Sequence, residues 1–192
     1  AVSYHSVFDY ADVRPNHTVV VFGPGTIGQL VSQIVKSAGA RVILCGISKD
    51  QERLKIAEQL GIETVITDQS DVPQYIRSIT DGQGAEYVFD CTGVAQAISQ
   101  GINSLKAKGT LVQVGLTAQS ITVDYGLLPM KELCIKGAYG HIHSSWTGVL
   151  KMMERKQVDL KPLISDKYKL EDWEKAFDAA EGLNGIKVLL YP

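Results

Sequence analysis

The residues whose types and spacing most suggest chemistry are Gly23-Pro24-Gly25-Thr26-Ile27-Gly28. They follow Thr18-Val19-Val20-Val21-Phe22, a run that reads as a strand buried on both faces. They open a segment, 26–38, in which Ile27, Leu30, Val31, Ile34 and Val35 share one helical face. Between a buried strand and a helix, glycines at these three places build a phosphate cradle. Gly23 permits the tight turn, Gly25 lets backbone approach a pyrophosphate, and Gly28 lets helix and strand pack closely. The start of the helix adds unpaired N–H groups and the positive end of its dipole. A tight turn without a ligand is the competing reading, and the strand–turn–helix context argues against it.

A dinucleotide-binding loop of this kind is followed, about 20 positions on, by an acid that bonds the adenosine ribose. Counting from Gly28 reaches Gly46, which carries no acid. Ser48, Lys49 and Arg53 follow, and their hydroxyl and cations tilt the reading towards NADP, whose 2′-phosphate they could pair. The alternative is NAD, with Asp50 swinging back to the ribose and the two cations solvated at a helix start. Ligands of parallel sheets sit outside the carboxyl ends of the strands, so two further turns are candidates. These are Asp90-Cys91-Thr92-Gly93 and Val114-Gly115-Leu116-Thr117, where a flat ring could lie against bare glycine backbone. Ordinary strand-to-helix turns would look the same.

The elements that must position these groups alternate along the chain. Strands are expected at 18–22, 41–45, 64–66, 87–90, 110–114 and 133–137, with helices at 26–38, 50–60, near 71–80, near 94–105 and at 145–156. Such units force parallel pairing with right-handed crossovers, so the fold class is α/β, a doubly wound six-stranded parallel sheet of the Rossmann type with helices on both faces. A strand–helix–strand tail follows, with strands at 162–165 and 186–191 and a helix from about 170 to 181. The expected division is a nucleotide-binding domain over 1–157 and a tail over 158–192.

Composition excludes other classes. The 192 residues carry 19 Lys+Arg against 21 Asp+Glu, a net charge of −2 that offers no basic surface for nucleic acid. No apolar run approaches the roughly 18 residues a membrane span needs, and no leader is recognisable at Ala1. Cys45, Cys91 and Cys134 are odd in number and widely spaced, and three buried reduced thiols suit a cytoplasmic protein. His141-Ile142-His143 lacks a neighbouring third ligand for zinc. Ser144-Ser145 lacks the glycine elbow of a hydrolase. Trp146, Val149, Leu150, Met152 and Met153 are expected to pack in the core. Glu171, Asp172, Glu174 and Lys175 read as a solvated helix face. A methyltransferase, which holds a methyl donor with a related loop, and a non-catalytic redox sensor remain competing functions.

The order of VVVFGPGTIG (19–28), RLKIAEQLG (53–61), GAEYVFDCTG (84–93), LKAKGTLVQVG (105–115) and IKVLLYP (186–192) resembles the zinc-dependent medium-chain alcohol dehydrogenases. AVSYHS at the start and the DCTG turn are most similar to their polyol and threonine dehydrogenase branch. The resemblance covers nearly all of this chain but only the second half of a family member, and the start at Ala1 without Met suggests a piece of something longer. It implies hydride transfer between a secondary alcohol or polyol and NAD(P). Gly23, Gly25, Thr26, Ile27 and Gly28 would hold the pyrophosphate, and Ser48, Lys49 and Arg53 would surround the adenosine ribose. Thr92 and Gly93 would meet the nicotinamide-side ribose or ring, with Val114, Gly115, Leu116, Ala138 and Tyr139 flanking the nicotinamide. A catalytic zinc is expected on an N-terminal domain ahead of Ala1, not on this chain, against which the tail would pack. The 133–138 edge strand would pair with a second copy in a homodimer or homotetramer.

Overall fold

The computed structural model describes residues 1–117, 119–182 and 185–192. A short helix α1 (Val2–Phe8) precedes β1 (Thr18–Phe22), α2 (Thr26–Ser37), β2 (Arg41–Gly46), α3 (Gln51–Gln59) and β3 (Glu63–Ile66). Then come α4 (Val72–Ser78), β4 (Ala85–Asp90), α5 (Ala95–Ser104), β5 (Leu105–Gln113), α6 (Leu127–Lys131), β6 (Cys134–Gly137) and α7 (His143–Glu154). The six strands form one parallel sheet in the order β3-β2-β1-β4-β5-β6. Successive strands are added outward in one direction from β1 to β3 and in the other from β4 to β6, so the order reverses between β1 and β4, the place where such sheets bind ligands.

Alternation of side chains along β1 explains why its run is apolar throughout. Val19 and Val21 pack with Val31, Ile34 and Val35 of α2 and with Leu54 and Ala57 of α3. Val20 and Phe22 point the other way, into a second core with Ile76 of α4 and Ile98 and Ile102 of α5. Each face of the strand therefore meets a helical layer, and all five residues of β1 are buried. At the back of α2, Gln33 exchanges two hydrogen bonds with the Asp159 backbone, donating at 3.0 Å and accepting at 2.6 Å.

The tail is a second parallel pair, β7 (Ile164–Lys169) and β8 (Lys187–Tyr191), crossed over by α8 (Trp173–Glu181). The strand expected at 162–165 begins later because Pro162 sits in a 3₁₀ turn, Lys161–Leu163, and has no N–H to give a ladder. A second 3₁₀ turn over Leu170–Asp172 likewise delays α8.

Two expectations about packing are corrected. Cys45 is buried, but Cys134 is exposed, because β6 is the sheet's edge and all four of its residues are exposed. Met152 is buried, whereas Trp146, Leu150 and Met153 are 49%, 55% and 40% exposed along the outer face of α7. No helix among the described residues is long and apolar enough to cross a membrane.

Candidate cofactor site

The three loop glycines serve different ends. Gly23 has φ +97°, and a Cβ there would come 2.7 Å from Cγ2 of Thr92. Its N–H donates to the Cys45 carbonyl at 2.9 Å, fixing the turn to the neighbouring strand. A Cβ on Gly28 would overlap the Gly23 carbonyl oxygen, so that glycine is required by packing alone. Gly25 differs from both. It caps α2 in an ordinary extended conformation, and an added Cβ would find no atom within 4 Å. Nothing among the described residues asks for a glycine there, and among them the bare backbone faces open space at the start of a 12-residue helix. Ile27 is half-buried beside it. The Thr26 hydroxyl donates to the Ile186 carbonyl at 2.6 Å, joining the helix start to the tail.

At the ends of β4 and β5, one carboxylate organises both turns. Asp90 is fully buried and accepts from Thr92 N–H (3.2 Å), Thr92 Oγ1 (2.6 Å), Gly93 N–H (2.8 Å) and Gln113 Nε2 (2.6 Å). Gln113 also donates to the Gly115 carbonyl at 2.8 Å, so one amide ties the two turns together. A Cβ on Gly93 would overlap the Leu116 carbonyl, and one on Gly115 would overlap the Gly93 N–H. The bareness of each glycine is thus used by the opposite turn. The sequence marks Asp90 only as the first residue of a candidate turn and assigns its side chain no role. The available signal was a charged residue ending an otherwise apolar strand. Ala138 is buried and donates to the Gln113 carbonyl at 2.8 Å. Val114 is half-buried, while Leu116 and Tyr139 are 74% and 80% exposed.

Between these strand ends lies a cleft of about 320 Å³, with Gly23, Gly46, Ile47, Asp50, Thr67, Thr92, Val94 and Ala97 in its wall. It joins the glycine loop to the Thr92 turn. Ser48, Lys49 and Arg53 stand outside its described wall. The Ser48 N–H donates to Asp68 at 2.9 Å and its hydroxyl accepts from Gln69 at 3.0 Å. Bonding from Ser48 holds the Asp68 carboxyl below its usual range. Lys49 is exposed. Arg53 donates to the Gly185 carbonyl at 2.9 Å and faces Asp50 at 3.4 Å.

A metal finds no equivalent site. Among the described residues no three His, Cys, Asp or Glu side chains gather to hold one. His141 stacks edge-on against Trp146, with ring centroids 5.3 Å apart, and His143 opens α7. Burial and the neighbouring Asp90 push the Cys91 thiol far up, and burial does the same to Cys45, so neither offers a thiolate.

Residues 26–155 match the family model described as zinc-binding dehydrogenase. A sorbitol dehydrogenase of Halalkalibacterium halodurans is 37% identical over 194 aligned residues, covering 100% of this chain and 56% of that protein. The human sorbitol dehydrogenase is 31% identical, covering 93% of this chain and 50% of its own length. The chain therefore spans about half the length of the curated relatives it matches. Among solved structures, the 2R,3R-butanediol dehydrogenase of Bacillus subtilis superposes with a TM-score of 0.90 at 28% identity, over 100% of this chain and 55% of that one. Taken with the six-stranded parallel sheet and its glycine loop, these matches show that the chain belongs to the zinc-binding dehydrogenase family.

Proposed function

We propose that this chain is the cofactor-binding half of an oxidoreductase that moves a hydride between a secondary alcohol or polyol and NAD(P). The observation that carries this is the open space at Gly25, beside the start of α2 and the cleft running to Thr92. The first-turn N–H groups of α2 face that space and balance the charge of a pyrophosphate. Thr92, held by Asp90, presents a fixed turn to the nicotinamide side, and Val114 and Ala138 border it. When bound, the dinucleotide supplies the hydride-carrying ring, and the chain's part is to fix its orientation and keep one face pressed to protein.

Among the described residues no three His, Cys, Asp or Glu side chains gather to hold zinc, and in this reading the metal implied by the family and most of the alcohol pocket belong to residues outside the chain. The names of the relatives support a polyol or secondary alcohol as substrate. Residues 1–157 form the nucleotide-binding unit in this reading, and 158–192 a tail facing the catalytic half. Trp173 and Phe177 of α8, 51% and 58% exposed, support that docking face. The exposed β6 edge, with Ile135 44% exposed, and Tyr139 just beyond it, 80% exposed, support pairing with a second copy. Sedimentation of the protein should give a dimer or tetramer, and a monomer at high concentration would remove that part. Cofactor binding is tested by titrating the chain with NADH, NADPH and S-adenosylmethionine while following fluorescence and melting temperature. Saturable binding of a nicotinamide dinucleotide, with no turnover of sorbitol by this chain alone, is the expected result.

A further inference from the structure

At the adenosine end, the structure shows why no acid stands at the end of β2. A Cβ on Gly46 would lie 2.9 Å from Cγ of Pro24 and 3.1 Å from Cβ of Asp50. The proline ring and the Asp50 side chain already fill that place. Asp50 lines the cleft beside Gly46 and Ile47. One of its oxygens accepts from the Ile47 N–H at 3.1 Å, and the other faces Arg53 Nη1 at 3.4 Å. A carboxylate offers about four lone-pair sites, so acceptor capacity remains towards the cleft. Only 14% of the side chain is exposed, which shields a hydroxyl bonded there from competing water.

The nearby cations are differently placed. Arg53 is 15% exposed and divided between the Gly185 carbonyl and Asp50 itself. Lys49 is exposed and stands outside the cleft wall. A 2′-phosphate entering beside Asp50 would meet a carboxylate before an available cation. A ribose with two free hydroxyls would meet an acceptor.

We infer that Asp50 reads the adenosine ribose in place of an acid at position 46, and that the chain selects NAD(H) over NADP(H). The inference rests on the dinucleotide reading above and reverses the leaning towards NADP that Ser48, Lys49 and Arg53 suggest in the bare sequence. The test is titration of the full chain with NADH and with NADPH, followed by nicotinamide fluorescence, and competition by 5′-AMP and 2′,5′-ADP. A bond from a hydroxyl to a charged acceptor predicts NADH binding about tenfold tighter than NADPH, with 5′-AMP outcompeting 2′,5′-ADP. Asp50→Asn removes the charge and keeps the shape, and should bring the two dinucleotides within about threefold of each other. Circular dichroism establishes that the variant is folded. Should it not fold, the wild-type preferences decide alone. NADPH binding as tightly as NADH, or a folded Asp50→Asn chain with unchanged preference, overturns the role of Asp50 and leaves the dinucleotide reading standing. Binding of neither dinucleotide overturns both.

Discussion

Two regions of the molecule use apolar residues in opposite ways. Around β1 and β4, Val20, Val88 and Phe89 are completely buried, and the turns that follow β4 and β5 are lashed by Asp90 and Gln113. Along β6, α7 and α8, residues of the same chemical kind stand open, with Trp146, Leu150 and Phe177 each about half exposed or more. The first region is finished within this chain. The second leaves its apolar side chains open, as the proposed contacts with a second copy and with the catalytic half would require. Hydrophobicity alone therefore separates neither core from interface nor a structural glycine from a functional one. What separates them is whether a neighbour already occupies the adjoining space.

The sharpest way to break this comparison is at the finished end. Asp90→Ala should cost about 3 kcal/mol or more in urea unfolding, because it empties a buried site and takes the shared acceptor from four half-buried donors. A change below about 0.5 kcal/mol would mean the turns hold themselves. Gly28→Ala should cost about 2 kcal/mol through overlap with the Gly23 carbonyl. Gly25→Ala, by contrast, should leave stability within about 0.5 kcal/mol while weakening NADH binding about tenfold. Equal stability losses at Gly25 and Gly28 would erase the distinction between ligand-facing and packing glycines.

On the open side smaller effects are expected. Trp146→Ser should change unfolding free energy by no more than about 0.5 kcal/mol, and a loss of several times that would place Trp146 in the core. Smallest of all, a maleimide should label Cys134 in the native chain and reach Cys45 only on unfolding. Burial keeps the Cys45 thiol protonated and inaccessible, while Cys134 lies on the sheet edge.

The alternation of strands and helices was legible because β1 and β2 are buried on both faces and α2 has one apolar stripe, patterns that local sequence carries directly. Parallel pairing of six strands and the glycine loop followed from the same rules. Less legible were features set by distant neighbours. Nothing local reveals that Arg53 bonds Gly185 or that Thr26 bonds Ile186, since those partners meet only when the tail folds back. The filled space at Gly46, which displaces the acid's position to Asp50, depends on the Pro24 ring in another turn. The exposure of α7 is not legible locally, because an apolar helical stripe looks the same whether it faces its own core or a different surface.

The open space at Gly25 belongs, in the function proposed above, to a dinucleotide. Titrating NADH into the wild-type chain and into Gly25→Val, with melting curves for both, tests it most directly. Saturable NADH binding by the wild type, lost in a Gly25→Val chain that melts within a few degrees of it, is the predicted result. Undiminished NADH binding by Gly25→Val, or none by the wild type at about 1 mM ligand, would contradict it.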